Sequence, residues 1–329
     1  MRNLLMPIVL LSALDAATWV ISQEARFTVH VTDDFGNNVT GIVVSASTLE
    51  KYMPGENFGT DKNRSMSLAT GTNGLAAFSL PCVSGKIAFG TKHDSPGFYW
   101  DRGHEIKFKK ENGNWQPSNP IVELKIKKIL NPIPLYTKQV GLFSPHVKIP
   151  EFGKPIGFDL LKADWVAPYG KGKYSDFIFT LNTKLGQTTK NGYQIHDSSF
   201  HVNFSNEGDG ILSAYADPYK GSVLRLSRSA PEHGYETSMM RRAYSHEKEA
   251  FNEYREDQNY FFRVRTKKDD EGNIVSALYG KIHGEIGWLG AIKFTYYLNP
   301  TPNDRNLEFD GKNNLFKPDW QDTAWPSEP

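Results

Sequence analysis

Apolar residues recur at every second position over much of this chain, and that spacing commits it to strands. Phe27, Val29 and Val31 alternate with Thr28, His30 and Thr32. Phe200, Val202 and Phe204 repeat the pattern, as do Tyr260, Phe262 and Val264, and Ile292, Phe294, Tyr296 and Leu298. The runs are short, and "DDFGNN", "GTNG", "KNG", "NEGDG" and "KKDDEGN" punctuate them. In such turns Asp and Asn bond their own backbone and Gly accepts a positive φ. Short strands at this spacing predict β-sandwiches. One exception stands at residues 237–257, where Met240, Ala243, Tyr244, Phe251 and Tyr254 partly fit a helical face and predict a helix.

A length of 329 residues allows two domains. Residues 25–130 hold about seven short strands, the number of an Ig-like sandwich. "NPIPLY", from Asn131 to Tyr136, opens a stiff linker over 131–150, because proline removes a backbone donor and extends its neighbour. Residues 151–300 read as a second, larger antiparallel sandwich or jelly-roll-like domain, and 301–329 as an irregular tail across the surface. The fold class is mostly β.

The order "TDDFGNNVTGIVV", "TGTNGLAAFSL", "GKIAFGTKHDSPGFYW" resembles the carboxypeptidase-regulatory-like, or prealbumin-like, sandwich. Its usual D-x-x-G-x-x-V opening and T-x-x-x-G hairpin fall on Asp33 or Asp34, Gly36, Val39, Thr70, Gly74 and Phe78. The resemblance covers roughly residues 25–130 and implies a spacer or binding unit beside another domain; it carries no catalytic residue. With "NPIPLY", "GFDLLKADWVAPYGKGKYSDF", "YFFRVRT", "YGKIHGEI" and "YYLNPTPNDRNLEFD", the whole chain looks like secreted bacterial proteins that join such a sandwich to a second β-domain. That likeness implies no established activity.

Met1-Arg2-Asn3 followed by the apolar run Leu4 to Leu14 and small residues predicts a signal peptide over residues 1–22. The run is too short to span a bilayer comfortably, and no later stretch suits a transmembrane segment. The expected location is therefore secreted, periplasmic or in the cell envelope. Cys82 is the only cysteine, which excludes an intramolecular disulfide and a cysteine-rich zinc site. Lys and Arg number 38 against 37 Asp and Glu, so nothing global points to nucleic acid.

The chemistry-bearing motifs are weak. "GKGKY" at Gly170 to Tyr174 lacks the spacing and the Ser or Thr of a phosphate-binding loop and reads as a turn. His283 and Glu285 would share one face of a strand; His246 with Glu247 and Glu249, and His233 with Glu236, are further fragments. None makes a metal-binding pattern, and no metal or cofactor is expected. Asp269 to Asn273 and Asn206 to Gly210 read as hairpin turns. No G-x-S-x-G elbow is present, and Cys82 suits a buried thiol. Asp159, Asp164, Asp176, Glu207, Asp209 and Glu285 supply carboxylates, but no spacing selects a catalytic pair.

Flat aromatic rings stack on sugars, and three clusters offer them: Tyr99 and Trp100 with Asp101 and Arg102; Asp164 with Trp165 and Tyr169; and Trp288. The competing role for each tryptophan is to plug the end of a sandwich core. The expectation is an exported, non-catalytic binding or surface protein, with a glycan or an envelope protein as partner. The alternatives are an envelope polysaccharide-active enzyme with an accessory first domain, and a structural component of a surface assembly that docks a neighbour through a sheet edge.

Overall fold

The computed structural model describes residues 23–51, 62–93, 95–141, 148–188, 192, 194–246, 248–288, 291–317, 326 and 328–329. The expected signal peptide and part of the polar stretch Leu49 to Arg64 lie outside the described residues.

In the first part, β1 is Glu24–Asp33, β2 Val43–Lys51, β3 Lys62–Ala69, β4 Leu75–Pro81, β5 Lys86–Thr91, β6 Phe98–Tyr99, β7 His104–Lys107, β8 Lys109–Glu111, β9 Asn114–Gln116 and β10 Ile121–Lys128. Two four-stranded sheets, β4-β1-β10-β6 and β3-β2-β5-β7, face each other, and β8 and β9 form a side hairpin. Phe27, Val29, Val31, Val44, Phe78, Leu80, Phe89 and Leu124 fill the space between them. The period-two pattern is what points these residues one way. β1 runs parallel to β10 and antiparallel to β4.

The second part contains β11 Tyr136–Val140, β12 Ile156–Asp159, β13 Asp164–Trp165, β14 Phe177–Thr188, β15 Gln194–Asn203, β16 Gly210–Tyr215, β17 Ser238–Ser245, β18 Ala250–Asn252, β19 Gln258–Lys268, β20 Ile274–Gly287 and β21 Lys293–Asn299. They make a five-stranded sheet, β11-β21-β20-β19-β16, and a six-stranded sheet, β13-β12-β14-β15-β17-β18. Phe158, Phe177, Phe179, Phe200, Phe262, Phe294 and Tyr296 pack between them, mostly edge to face. The described residues thus form an all-β fold of two sandwiches. No described helix is long and apolar enough to cross a membrane, which says nothing of a β-barrel.

The helix expected at 237–257 does not form; that segment supplies β17 and β18. Met239 and Ala243 are buried while Met240 is exposed, because β15 offers β17 a full antiparallel partner from His196 to Asn203. Tertiary pairing outweighs the helix-forming composition here. Tyr136–Val140, within the stretch read as a linker, is the edge strand of the five-stranded sheet. The described residues after Asn299 form no strand, yet Leu307 and Phe309 are fully buried.

One layer is not legible in the pattern. From Ala277 to His283 every residue of β20 is buried, although Lys281 and His283 point away from the sandwich core. The outer face of the five-stranded sheet lies beneath a third layer. That layer includes Leu226 and Ala230, the segment around Leu307 and Phe309, and the edge of the first sandwich.

Candidate functional site

The loop over Asp159 to Asp176 is built around its own carboxylates. Asp159 Oδ2 accepts the backbone N–H groups of Lys173 (2.8 Å) and Tyr174 (3.2 Å), and Asp164 Oδ2 accepts that of Lys171 (2.8 Å). The donors that a phosphate needs are therefore occupied from within. A Cβ on Gly172 would lie 2.8 Å from the Trp165 carbonyl and 2.9 Å from Asp159 Cβ, which accounts for that glycine without a ligand. Arg265 closes the loop from the opposite sheet. Its Nε meets Asp176 Oδ1 at 2.7 Å and its Nη2 meets Asp176 Oδ2 at 2.9 Å and Asp159 Oδ1 at 3.0 Å. Burial pushes the Asp176 carboxyl upward, against the pull of Arg265.

His283 and Glu285 do not share a face. The β20–β21 register shifts between His283 and Gly287, and Gly284 adopts φ +83°. That irregularity turns Glu285 to the core side, where the Tyr260 hydroxyl donates to it and Arg241 Nε approaches at 3.3 Å. His283 stays on the outer face against the Tyr297 ring, with centroids 4.7 Å apart. Among the described residues no group of three His, Cys, Asp or Glu is arranged to hold a metal ion.

The aromatic candidates do not converge on one surface. Trp165 packs edge-on against Phe158 and Trp288 stacks on Phe200, both inside the second core. Tyr99 is buried, its hydroxyl donating to Glu308 Oε1 at 3.2 Å and to the Phe309 carbonyl at 3.0 Å. Trp100 is half-buried and rests on His93. Asp164 is half-buried and spent on the loop backbone. Tyr169 is exposed and donates to Glu151.

The most heavily built polar region is the seam between the sandwiches. Residues 221–228 run beside the first sandwich: Arg102 donates its backbone N–H to Gly221, Val223 donates to Trp100, and Asp101 bridges Ser222. Lys127 Nζ donates to the Leu224 carbonyl at 2.7 Å and the Leu226 carbonyl at 3.3 Å. Arg228 pairs with Asp34 at 2.6 Å. Glu308, 1% exposed, is the hub. It accepts the N–H groups of Leu130 (2.9 Å) and Asn131 (2.8 Å), the Tyr99 hydroxyl and Arg228 Nε (3.4 Å). Glu328 binds Arg102 and Arg225 at the far end.

Sequence reasoning offers Tyr99, Asp101 and Arg102 as part of a sugar platform and passes over the other seam residues, because charged side chains ordinarily face water. The available signal is "NLEFD", which sets Glu308 between two large apolar residues. Lys281 shows the electrostatic consequence: it is fully buried, its Nζ has no hydrogen-bond partner among the described residues, and it stands 4.8 Å from the Tyr297 ring centre. Burial, with Lys127 adding repulsion, pushes it down to about 7. The unfolded chain keeps that proton up to the ordinary value of 10.5, whereas the fold releases it near 7, so stability rises with pH across that window. Lys281→Met should abolish this rise in urea midpoints measured from pH 6 to pH 10. At pH 6 it should stabilise the chain by about 1–3 kcal/mol.

No protein-family model and no curated protein matches the chain. Solved structures do. The shaft pilin spaA of Lactobacillus rhamnosus GG, in a point-mutant form, is 13% identical and is matched over 61% of this chain and 94% of its own, with a TM-score of 0.25. The structure of that pilin without a substitution gives 13% and a TM-score of 0.20. BcpA, the major pilin subunit of Bacillus cereus, is 12% identical over 87% of this chain and 98% of its own, with a TM-score of 0.21. TM-scores of this size do not establish a shared fold.

Proposed function

We propose that this chain is an exported, non-catalytic structural component of a surface assembly, which docks a neighbouring envelope protein through the edge of β3. The observation that carries this reading is the edge itself. β3 ends its sheet, its side chains are largely exposed, and among the described residues no backbone group bonds its outer side. Lys62 and Arg64 guard its start, but Ser65 to Ala69 carries no charge. Such an edge accepts an extended segment by strand addition. Two further features fit the role. The seam holds the sandwiches together through buried ion pairs and backbone bonds, and the buried carboxylates Asp159, Asp176, Glu285 and Glu308 are all engaged with cations or backbone donors. A carboxylate so engaged is poorly placed for acid–base work.

The test is cross-linking on intact cells that display the protein, beside sedimentation of the purified chain over a concentration series. The expected result is a defined cross-linked species that disappears in a Ser65→Lys, Ser67→Lys double variant. Both positions lie on the open edge strand, so the variant should keep its stability within about 0.5 kcal/mol. A chain that yields no cross-linked species on cells, or the same species in the double variant, overturns the reading.

A further inference from the structure

The third layer does not satisfy the face it covers. Strand register sets Thr137, Tyr297 and Lys281 in one row across β11, β21 and β20, and Gln139, Thr295 and His283 in the next. Over the second row lies a cavity of about 330 Å³, bounded by Gln139, Thr295 and His283 on the sheet and by Arg225 and Glu328 above. It reaches solvent beside Glu328, whose side chain is 37% exposed.

Polar nitrogens are left over around this space. Arg225 Nε, Arg102 Nη1, His283 Nε2 and Lys281 Nζ are buried and have no hydrogen-bond partner among the described residues. His283 is 8% exposed and lines the cavity directly. Arg102 and Arg225 converge on one carboxylate oxygen, Glu328 Oε2. The crowding is repulsive: burial and then Arg225 depress Arg102, and burial followed by Lys281, Arg225 and Arg102 holds His283 well below its ordinary value. Buried donors without acceptors are costly, and natural interiors keep few of them.

We propose that this cavity binds the phosphate or sulfate group of a small organic ester, with Arg225 and His283 contacting the oxyanion and Arg102 and Lys281 supporting its charge. The unpartnered guanidinium and imidazole nitrogens, with the Thr295 hydroxyl and Gln139 amide nearby, outnumber what the two oxygens of another carboxylate receive comfortably. The space exceeds a bare oxyanion and falls at the lower end of small-molecule pockets, roughly 300–1,000 Å³, which leaves room for an organic body beside the Tyr297 ring. Glu328 competes for the same arginines from the rim. The inference stands apart from the assembly reading, since the cavity is remote in sequence and sheet from β3.

Calorimetric titration of the full chain tests it, with hexose 6-phosphate, inorganic phosphate and inorganic sulfate as probes and sodium chloride holding the ionic strength. The ester should bind with Kd below about 1 mM and raise the melting midpoint. Arg225→Met should weaken it at least ~10-fold, and Glu328→Gln should tighten it several-fold by removing the competing carboxylate. The Glu328→Gln arm keeps the test valid if Arg225→Met fails to fold. No saturable binding of any probe up to about 10 mM, or an affinity that neither substitution moves, overturns the site. Inorganic phosphate binding as tightly as the ester overturns the organic part.

Discussion

Arg265→Ala is expected to cost about 3–5 kcal/mol, the range for removing one partner of a buried ion pair. Arg265 is the cation for two carboxylates that are 1–2% exposed, Asp176 and Asp159. Without it both charges stay buried, and the loop that carries Asp159 and Trp165 loses its tie to β19. The pH dependence distinguishes this mechanism from lost packing. Asp176 is already raised by burial, and Arg265 is what holds it down. Removing the arginine raises it further, so the folded variant binds a proton that the unfolded chain releases at its ordinary value of 3.8. Stability contributed by the protonated form is lost as pH rises through the raised value. The wild type gains from the same effect to a smaller extent, so the stability gap between variant and wild type should narrow on acidification from pH 7 to pH 5. Urea midpoints at the two pH values decide it, and a deficit independent of pH would falsify the account. Arg265→Lys keeps the charge but loses the two-pronged contact, and should fall between.

Glu308→Ala is expected to cost a similar amount, about 3–5 kcal/mol, and to change the shape of the unfolding transition. The carboxylate receives two backbone N–H groups, a tyrosine hydroxyl and an arginine, all at the seam. Truncation leaves Leu130, Asn131 and Tyr99 as buried donors with fewer or no acceptors. Asn131 and Leu130 begin the connection between the sandwiches, so the loss falls on their coupling more than on either core. Wild-type calorimetry should give one transition. The alanine variant should give two, with the sandwiches melting apart. A single transition that merely shifts would show that the seam does not couple the domains. Glu308→Gln keeps one acceptor oxygen and should recover part of the loss.

Strands and turns are legible in this sequence because both depend on near neighbours. Alternation at Phe27–Val31 and Phe200–Phe204 reports one buried face, and "DDFGNN" folds on itself: Asp33 accepts the N–H groups of Phe35 and Asn37. The second, outer burial of β20 depends on segments some distance away in sequence, and alternation cannot report it. The same limit explains His283 and Glu285. Period two predicts one face for both, but a single irregularity at Gly284 reverses the second residue. The aromatic residues are ambiguous for a different reason. Tryptophan suits a sugar platform and a core plug equally by type, and only packing separates Trp165 and Trp288, which are buried, from Trp100, which is half-buried.

The seam also fixes an order of events. Two of its acids, Glu308 and Glu328, follow the second sandwich in sequence, while their partners Tyr99 and Arg102 lie in the first. β1, too, waits for β10, about ninety residues downstream, before its parallel ladder forms. A chain that leaves the ribosome amino end first therefore closes the first sandwich only once β10 has appeared. It cannot complete the joint between the two sandwiches until residue 328 has followed. Docking of the two sandwiches thus follows the closure of the first, and its half-time can be followed by the protection of the Leu130 and Asn131 amides from exchange.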